Sequence, residues 1–237
     1  GTKTGSLKTA RNLIMAMPQQ FTAQLRDKRQ LTDRFVQYYF ELVAPNALEF
    51  AAGQYMSVQV TAAGDRRSYS IVSAPTITHG FELLIDHEPA GLGAQYFQSL
   101  QIGDEIKALG PLGLFQLDPV EPSYAFVATG SGVAPFRSMI LQLLQQQQTD
   151  KPITLYWGLR SATDLFWHAE FQELVQSFPN FRFHPTLSQG PQEWPLCRGR
   201  VTDCLSVHEI DERAGYYLCG ATPMIADVKS ILLSRAI

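Results

Sequence analysis

The chain has 237 residues, enough for one large domain or for two domains of about 100 to 120 residues. Apolar residues make up 45% of the sequence, which is enough to bury proper cores, and the formal net charge is −3. Because no basic patch or run is visible, we expect no nucleic-acid partner. The sequence has no signal peptide and no apolar stretch of the roughly 18 residues that cross a bilayer, so we expect a cytoplasmic protein without membrane insertion.

The first half of the chain is typical of β-structure. We set residues 1–17 aside as a tail or linker. From residue 18 to residue 118, short alternating or aromatic-rich runs are separated by turn signals such as Gly103-Asp104. Six or so strands at this spacing predict a small antiparallel barrel or sandwich. The clearest runs are 35–43, 54–61, 67–72, 81–87 and 105–109.

The pattern changes near Pro119 and Pro122, where strands begin to alternate with apolar-periodic helices. This alternation predicts a parallel, doubly wound α/β sheet. We therefore place the second domain at 119–237. The predicted strands are 124–128, 153–157, 182–185 and 216–219, and the predicted helices are 133–147, 165–177 and 224–234.

The segment Arg67-Ser68-Tyr69-Ser70 is the most informative stretch of the barrel half. In a strand, Arg67 and Tyr69 share one face and Ser70 points to the other. A guanidinium suits a phosphate, an aromatic ring suits a flat heterocycle, and a hydroxyl suits a ring nitrogen. The segment therefore predicts a flavin nucleotide clamp. An ordinary amphipathic strand with a surface arginine is the alternative.

Two glycine-containing turns follow in the barrel half. The turn Gly91-Leu92-Gly93-Ala94 leads into a short helical run, where backbone N–H groups and the helix dipole favour a phosphate. A simple tight turn is the alternative. The segment Gly110-Pro111-Leu112-Gly113-Leu114-Phe115 predicts a rigid turn with an exposed aromatic ring at the end of the barrel, or only a structural hairpin.

In the second half, the loop Thr129-Gly130-Ser131-Gly132-Val133-Ala134-Pro135 lies between a predicted strand and a predicted helix. A nucleotide pyrophosphate binds at this position in an open parallel sheet. The loop departs from the ordinary dinucleotide fingerprint, because Pro135 stands where a third glycine is needed. The next strand ends in Arg160 rather than in an acidic residue that could hold a ribose. The segment 129–135 is therefore either a different kind of dinucleotide-binding loop or not a dinucleotide-binding loop.

The three cysteines are Cys197, Cys204 and Cys219. An odd number without short spacings argues against a disulfide scaffold, structural zinc and an iron–sulfur cluster. We predict no metal site and assign no role to Cys197 or Cys204. Cys219 ends the last predicted strand and precedes Gly220 and Met224, so its thiol could contact a bound ring. A buried inert cysteine is the alternative. The histidines are scattered and form no metal pattern: His79, His87, His168, His184 and His208.

Four motifs occur in one order along the chain: Arg67-x-Tyr69-Ser70, Gly110-Pro111-x-Gly113-x-Phe115, Gly130-x-Gly132-x-Ala134-Pro135 and Cys219-Gly220-x-x-x-Met224. This order resembles the ferredoxin–NADP reductase superfamily, which includes oxygenase reductase components and cytochrome b5 reductases. The resemblance runs from about residue 20 to the end. It implies a flavoprotein oxidoreductase that passes hydride from NAD(P)H to bound FAD, with FMN less expected. Electrons then go to a protein acceptor such as a ferredoxin, a flavodoxin or an oxygenase component.

The resemblance also implies roles for individual residues. In the flavin clamp, Arg67 binds a phosphate beside Ser68, Tyr69 packs on the isoalloxazine, and Ser70 approaches its reactive N5. Cys219 lies beside the nicotinamide, so Ser70 and Cys219 are the predicted catalytic residues. The FAD pyrophosphate is assigned to Gly91, Leu92, Gly93 and Ala94. The nicotinamide nucleotide is assigned to Thr129, Gly130, Gly132, Val133, Ala134, Pro135, Arg160, Cys219, Gly220 and Met224.

Two positions depart from the family pattern. Ala94 stands where the glycine loop usually carries a serine, so one phosphate hydrogen bond is lost. Members that prefer NADPH often place an arginine after a serine at the end of the third strand of the nucleotide domain. Here the pair is Ser188-Gln189, which offers no charge for a 2′-phosphate and favours NADH, although Arg160 could supply a charge.

Relatives usually continue past the position of Ile237 into a final strand, so we expect either a missing segment or an open flavin face. An iron–sulfur domain before residue 1 is one candidate acceptor. Two other functions stay open. One is a reductase of free flavins, and the other is a non-catalytic subunit that holds nucleotide in a redox complex.

Overall fold

The computed structural model describes residues 18–88, 90–208 and 210–237, and the tail that we predict at 1–17 lies outside them. The elements of the first half are β1 Gln19–Gln30, β2 Phe35–Ala44, β3 Tyr55–Gln59, β4 Arg66–Ser70, β5 Gly80–Asp86, α1 Leu92–Ser99 and β6 Glu105–Leu112. The strands form one antiparallel sheet in the order β4-β3-β6-β1-β2-β5. A bridge between Ile71 and Leu83 nearly closes this sheet. The predicted antiparallel barrel is confirmed.

Strand β1 is the longest strand of the barrel and is absent from the predicted runs. Its first half alternates, because Phe21, Ala23 and Leu25 are buried while their neighbours are not. Its second half is mostly exposed and carries several charges, which hides the strand pattern.

An aromatic core supports the strand that carries the clamp segment. Tyr38 and Phe40 are fully buried inside the barrel, and Phe97 of α1 is buried with them. The ring of Phe97 meets Tyr38 edge-on at 5.1 Å between centroids and Tyr69 of β4 at 5.0 Å. Helix α1 therefore fixes the ring of Tyr69 from the core side.

The elements of the second half are β7 Tyr124–Thr129, α2 Ala134–Leu141, β8 Ile153–Leu159, α3 His168–Ser177, β9 Phe181–Leu187, β10 Cys197–Arg198, α4 Val201–Val207, β11 Gly215–Cys219 and α5 Thr222–Ser234. The sheet order is β10-β9-β8-β7-β11 and every pair is parallel, as predicted. A 3₁₀ turn, Gly130–Val133, precedes α2, and a π turn, Gln142–Gln146, follows it. Within the described ranges, no helix is both long and apolar enough to cross a membrane.

A shared apolar core joins the barrel to the parallel sheet. Phe35 and Leu84 of the barrel belong to the same buried cluster as Phe136 of α2 and Phe166 before α3. The rings of Phe35 and Phe166 lie only 4.5 Å apart between centroids. Phe115, which we expected to be exposed, is half-buried and packs on the rings of Phe136 and Tyr217. The end of the barrel is thus part of the contact between the two sheets.

A buried arginine crosses this contact. Arg137 of α2 donates from Nη1 to the carbonyl of Val72 at 2.8 Å and to Glu82 at 3.0 Å, both in the barrel half. Its Nε donates to Glu170 of α3 at 2.9 Å, and its guanidinium lies 4.9 Å from the ring centre of Trp167. Only 13% of the Arg137 side chain is exposed, so these bonds lie largely outside bulk water.

Two further polar bonds cross the same contact. Ser138 donates from Oγ to the carbonyl of Ser73 at 2.7 Å, and Trp167 donates from Nε1 to Gln37 at 2.9 Å. All four residues are buried. Buried polar groups need specific partners, so these bonds allow one relative position of the barrel and the parallel sheet.

Candidate functional site

A cavity of about 890 Å³ opens between the barrel and the carboxyl end of the parallel sheet. Strand β4 forms its wall on the barrel side, and the loops after β7, β8 and β11 form the opposite wall. The predicted site residues that line the cavity are Ser68, Tyr69, Ser70, Thr129, Gly130, Gly132, Ala134, Pro135, Arg160, Cys219, Gly220 and Met224. The structure therefore brings most of the predicted flavin and nucleotide residues into one space.

Arg67 and the glycine turn lie beside the cavity rather than in its lining. A Cβ placed on Gly93 would lie 2.0 Å from Oη of Tyr69 and 3.3 Å from Cγ of Arg67. Arg67 and Tyr69 thus share the face of β4 that meets the start of α1. Only glycine lets the backbone of α1 come so close to β4.

The start of α1 offers backbone donors next to Arg67. Gly91 is the N-cap residue, and no side chain caps the helix within the described residues. The first N–H groups of an uncapped helix remain available to an anion. Ala94 is buried, and Leu92 is 42% exposed. The guanidinium of Arg67 is exposed and donates to the carbonyl of Arg66 at 2.8 Å.

Glycines let the loop after β7 pack directly on the loop after β11. A Cβ on Gly132 would lie 2.3 Å from the carbonyl oxygen of Cys219, and a Cβ on Gly220 would lie 2.2 Å from Oγ1 of Thr129. Gly220 also has a φ of +142°, which L side chains rarely adopt. The amide of Ala221 donates to Oγ1 of Thr129 at 2.9 Å and holds the two loops together.

Val133 differs from the other residues of its loop. Its side chain is fully buried in the core under the sheet, so it cannot reach a ligand from there. Trp157 supports the same loop from below, because its Nε1 donates to the carbonyl of Gly130 at 2.9 Å. These contacts fix the position of the backbone N–H groups at the start of α2, where no side chain provides a cap.

The thiol of Cys219 lies at the carboxyl end of β11 and lines the cavity. Burial raises its pKa above the ordinary value, so the neutral thiol is the form present at neutral pH. A neutral thiol is a poor nucleophile and suits packing against a bound ring.

Several cavity residues were not predicted from sequence. Arg200, Gly199 and Thr202 come from the junction of β10 and α4, and they lie in the same cavity as Arg160 and Ser188. The Nη1 atom of Arg200 is 4.0 Å from Asp227 of α5. A strand of two residues followed by a helix of seven leaves no periodic pattern, so no sequence signal marks this wall.

An ion pair on the barrel side of the cavity was also missed. Arg34 donates from Nε and Nη2 to the two carboxylate oxygens of Asp86, each at 2.6 Å. Asp86 raises the pKa of Arg34 further above its ordinary value, because it stabilises the charged guanidinium. This bidentate pair fixes both side chains at the rim of the cavity.

Known proteins share both sequence and fold with this chain. Residues 22–117 match the family described as oxidoreductase FAD-binding domain, and residues 126–230 match the oxidoreductase NAD-binding domain. Ferredoxin–NADP reductase B of Sorangium cellulosum is 31% identical over 231 residues, covering 92% of this chain and 93% of that protein. The chain belongs to the ferredoxin–NADP reductase superfamily.

Other relatives agree with this family and differ in length. The electron transfer component of anthranilate 1,2-dioxygenase from Acinetobacter baylyi is 31% identical over 192 residues, covering 80% of this chain and 56% of that protein. The crystal structure of the cytochrome P450 reductase GcoB of Amycolatopsis superposes with a TM-score of 0.83 at 28% identity, covering 92% of this chain and 66% of that one. The chain thus spans just over half of the Acinetobacter relative.

The residues beside and within the cavity fit the FAD that the family implies. Arg67 has no carboxylate within ion-pair distance among the residues described, so its charge is available to a phosphate. The uncapped start of α1 adds backbone donors within reach of the same anion. Half-buried Tyr69 adds an aromatic ring, and Ser70 lines the same cavity as the loops of the parallel sheet.

We expect Gly132→Ala to separate the two loops of the nucleotide wall. Its Cβ would clash with the backbone of Cys219 and Gly220, and such overpacking costs about 1–3 kcal/mol. Titration with tetrahydro-NAD, an analogue that cannot donate hydride, should show at least about tenfold weaker binding, equivalent to about 1.4 kcal/mol. The control is Gly64→Ala: Gly64 lies outside the cavity lining, an added Cβ there meets no atom within 4 Å, and its φ of +99° strains the new side chain, so unchanged binding in this variant excludes a general loss of stability as the cause. Wild-type affinity in Gly132→Ala would contradict this packing.

Proposed function

We propose that the chain is a flavoprotein reductase that passes hydride from NAD(P)H to bound FAD and then electrons to a protein acceptor. Within it, residues 18–118 would form the flavin domain and residues 119–237 the nucleotide domain. The observation that carries the proposal is the single cavity that joins Ser70 of β4 to Cys219 of β11. Two ring-shaped cofactors can meet only where the two walls face one another.

On the barrel side, the chain's own groups would bind and orient FAD. Arg67 and the N–H groups at Gly91–Ala94 would hold its phosphates, with Ser68 at the edge of the same strand. Because Ala94 supplies no hydroxyl, Arg67 and the backbone would provide the binding energy there. Tyr69 would pack on the ring system and Ser70 would donate a hydrogen bond to its N5 atom. When bound, FAD accepts a hydride and releases electrons singly.

On the other side, the loop at Thr129–Pro135 would hold the pyrophosphate of the nicotinamide nucleotide, with Arg160 adding positive charge. Cys219, Gly220 and Met224 would bound the nicotinamide ring. The neutral thiol of Cys219 would fill space beside the ring without reacting with it. Hydride transfer needs orientation rather than a general base, and a packed wall of backbone and small side chains provides orientation.

We propose NADH as the preferred donor. Gln189 follows Ser188 and carries no charge for a 2′-phosphate, and Asp227 stands 4.0 Å from the guanidinium of Arg200. Because reduced nicotinamide nucleotides are kept inside cells, we also propose a cytoplasmic location. The acceptor would be a ferredoxin, a flavodoxin or an oxygenase component, since the Sorangium relative is a ferredoxin–NADP reductase and the Acinetobacter relative serves a dioxygenase.

Anaerobic mixing with NADH tests the proposed reaction. Protein supplied with FAD should show a flavin absorbance band at about 450 nm, and NADH should bleach this band in a stopped-flow experiment. At equal donor concentrations, bleaching should be faster with NADH than with NADPH. Absence of bleaching would contradict the proposed reaction and would indicate a subunit that binds nucleotide without catalysis. Flavin lost on gel filtration, with reduction of added flavin retained, would indicate a reductase of free flavins.

We expect Arg67→Ala to weaken FAD binding by roughly 1.5–3 kcal/mol, the scale of a charge-assisted hydrogen bond. The readout is the dissociation constant of FAD from equilibrium dialysis. The control is Arg29→Ala, which removes another exposed arginine from β1. An unchanged constant in Arg67→Ala would show that Arg67 is only a surface charge.

A further inference from the structure

A disulfide lies next to the nucleotide wall of the cavity, and none was predicted there. Cys197 of β10 and Cys204 of α4 are joined, seven positions apart in sequence, with their Cα atoms 5.5 Å apart. The cysteine count argues against a disulfide scaffold, and this single bond is a local clip instead. It ties the edge strand β10 to the helix α4 that follows it in the chain.

The segment enclosed by this clip belongs to the cavity. Gly199, Arg200, Val201 and Thr202 all line it. Strand β10 has only two residues, and it is an edge strand that pairs with β9 alone. Hydrogen bonds from Nε1 of Trp194 to the Cys197 carbonyl and from the Gly199 amide to the Leu187 carbonyl hold this short strand, and the disulfide adds a covalent bond to α4. The disulfide therefore restrains the wall that carries Arg200.

The two cysteines differ in exposure. Cys204 is 1% exposed, whereas Cys197 is half-buried. Attack by a thiol from solvent should therefore occur at Cys197, with Cys204 as the leaving group. His208 approaches the same sulfur, with Nε2 at 3.4 Å from Sγ of Cys197.

A second polar group lies beside Cys197. Thr186 pairs with Cys197 across the two parallel strands, so both side chains leave the sheet on the same face. The hydroxyl of Thr186 is buried and has no hydrogen-bond partner among the residues described. A buried hydroxyl without a partner is costly, so a state of the neighbouring sulfur that accepted its hydrogen bond would be favoured.

We propose that Cys197–Cys204 is a thiol-exchangeable redox site that controls binding of the nicotinamide nucleotide. This inference rests on the proposed function for the identity of the nucleotide and for the cytoplasmic location. Disulfides in that compartment are rare, and those that occur are mostly transient, catalytic or redox-sensing. A half-buried cysteine, a neighbouring imidazole and a cavity wall tied by the disulfide are the parts that such a site needs.

The exchange balances with two equivalents of a thiol such as glutathione. A thiolate attacks Sγ of Cys197, a mixed disulfide forms there, and Cys204 leaves as a thiolate and takes up a proton. A second thiolate attacks the glutathione sulfur of the mixed disulfide and releases Cys197, for which His208 can deliver the proton. The products are two protein thiols and one glutathione disulfide, so the protein is reduced and the glutathione oxidised by two electrons.

Reduction should weaken nucleotide binding, because the wall between Gly199 and Thr202 then loses its covalent tie. A coupling of ordinary size changes affinity by about fivefold or more. The coupling is reciprocal, so the bound nucleotide should make the disulfide harder to reduce by the same factor.

The first measurement counts thiols in the flavin-loaded protein. Alkylation after denaturation without reductant should label one cysteine, Cys219, and treatment with dithiothreitol beforehand should raise the count to three. Peptide mass mapping assigns the labels. All samples contain a chelator, because the reduced thiols and His208 lie within 4.8 Å of one another and could take up a divalent metal. Three labels without reductant would overturn the proposal.

The second measurement compares the dissociation constant of tetrahydro-NAD for oxidised and reduced protein. We expect at least about fivefold weaker binding after reduction, restored by reoxidation with glutathione disulfide. The double variant C197S/C204S should bind tetrahydro-NAD as weakly as the reduced protein does, and neither reductant nor glutathione disulfide should change its affinity. Equal affinity of the oxidised and reduced wild-type protein for tetrahydro-NAD would overturn the proposed redox control of nucleotide binding. This comparison uses only the wild-type protein, so it does not depend on the folding of a variant.

A matched pair of single variants tests the asymmetry of the two sulfurs. In Cys204→Ser, glutathione disulfide should add one glutathione to Cys197, whereas in Cys197→Ser the buried Cys204 should stay unmodified. The reverse pattern would overturn the assignment of Cys197. If tetrahydro-NAD binds neither redox state of the protein, the proposed function and the proposed redox control of nucleotide binding both fail. Thiol counting and glutathione addition then still decide whether the disulfide exchanges.

Discussion

One cation, the guanidinium of Arg137, holds the barrel and the parallel sheet in a fixed relative position. It bonds to Glu82 and to the Val72 carbonyl on one side and to Glu170 on the other, with little exposure to water. A buried ion pair adds little net stability, but an unmatched charge at the same place is costly. The contact therefore favours one arrangement over displaced ones more than it favours folding itself.

The candidate site depends on that arrangement, because neither half contains the whole site. The barrel presents Tyr69 and Ser70, and the parallel sheet presents the loops at Gly132 and Cys219. Each wall is rigid by itself, through α1 against β4 and through the glycine contacts between the two loops. The distance between the walls is set by the packing of Phe35 on Phe166 and by the bonds of Arg137. The proposed hydride transfer would require such a fixed orientation of the two walls.

The sequence predicts the parts of this molecule that repeat at short range. Alternation along β4 places Arg67 and Tyr69 on one face, and the structure agrees, since both reach Gly93. The switch from strands to alternating strands and helices predicts both sheets. These features follow from local periodicity, which can be recognised in a single sequence without an alignment.

Long-range contacts leave no such pattern. The sequence predicts an exposed Phe115, because it does not show that this ring packs on Phe136 of α2 and Tyr217 of β11 in the other half of the chain. Val133 stands among glycines that line the cavity, yet a 3₁₀ turn directs it into the core. Arg200 and the Cys197–Cys204 bond depend on two elements that are too short to show a period. Each of these positions needed the tertiary fold to be interpreted.

The rate at which NADH bleaches the bound flavin in Arg137→Met tests the central claim most directly. Methionine keeps much of the side chain's volume and removes the cation. If Arg137 sets the distance between the walls, the variant should still bind FAD and tetrahydro-NAD, and bleaching at saturating NADH should slow by about tenfold or more. Arg26→Met, which breaks the exposed pair with Glu41, should bleach like the wild type. Wild-type bleaching in Arg137→Met would contradict the account.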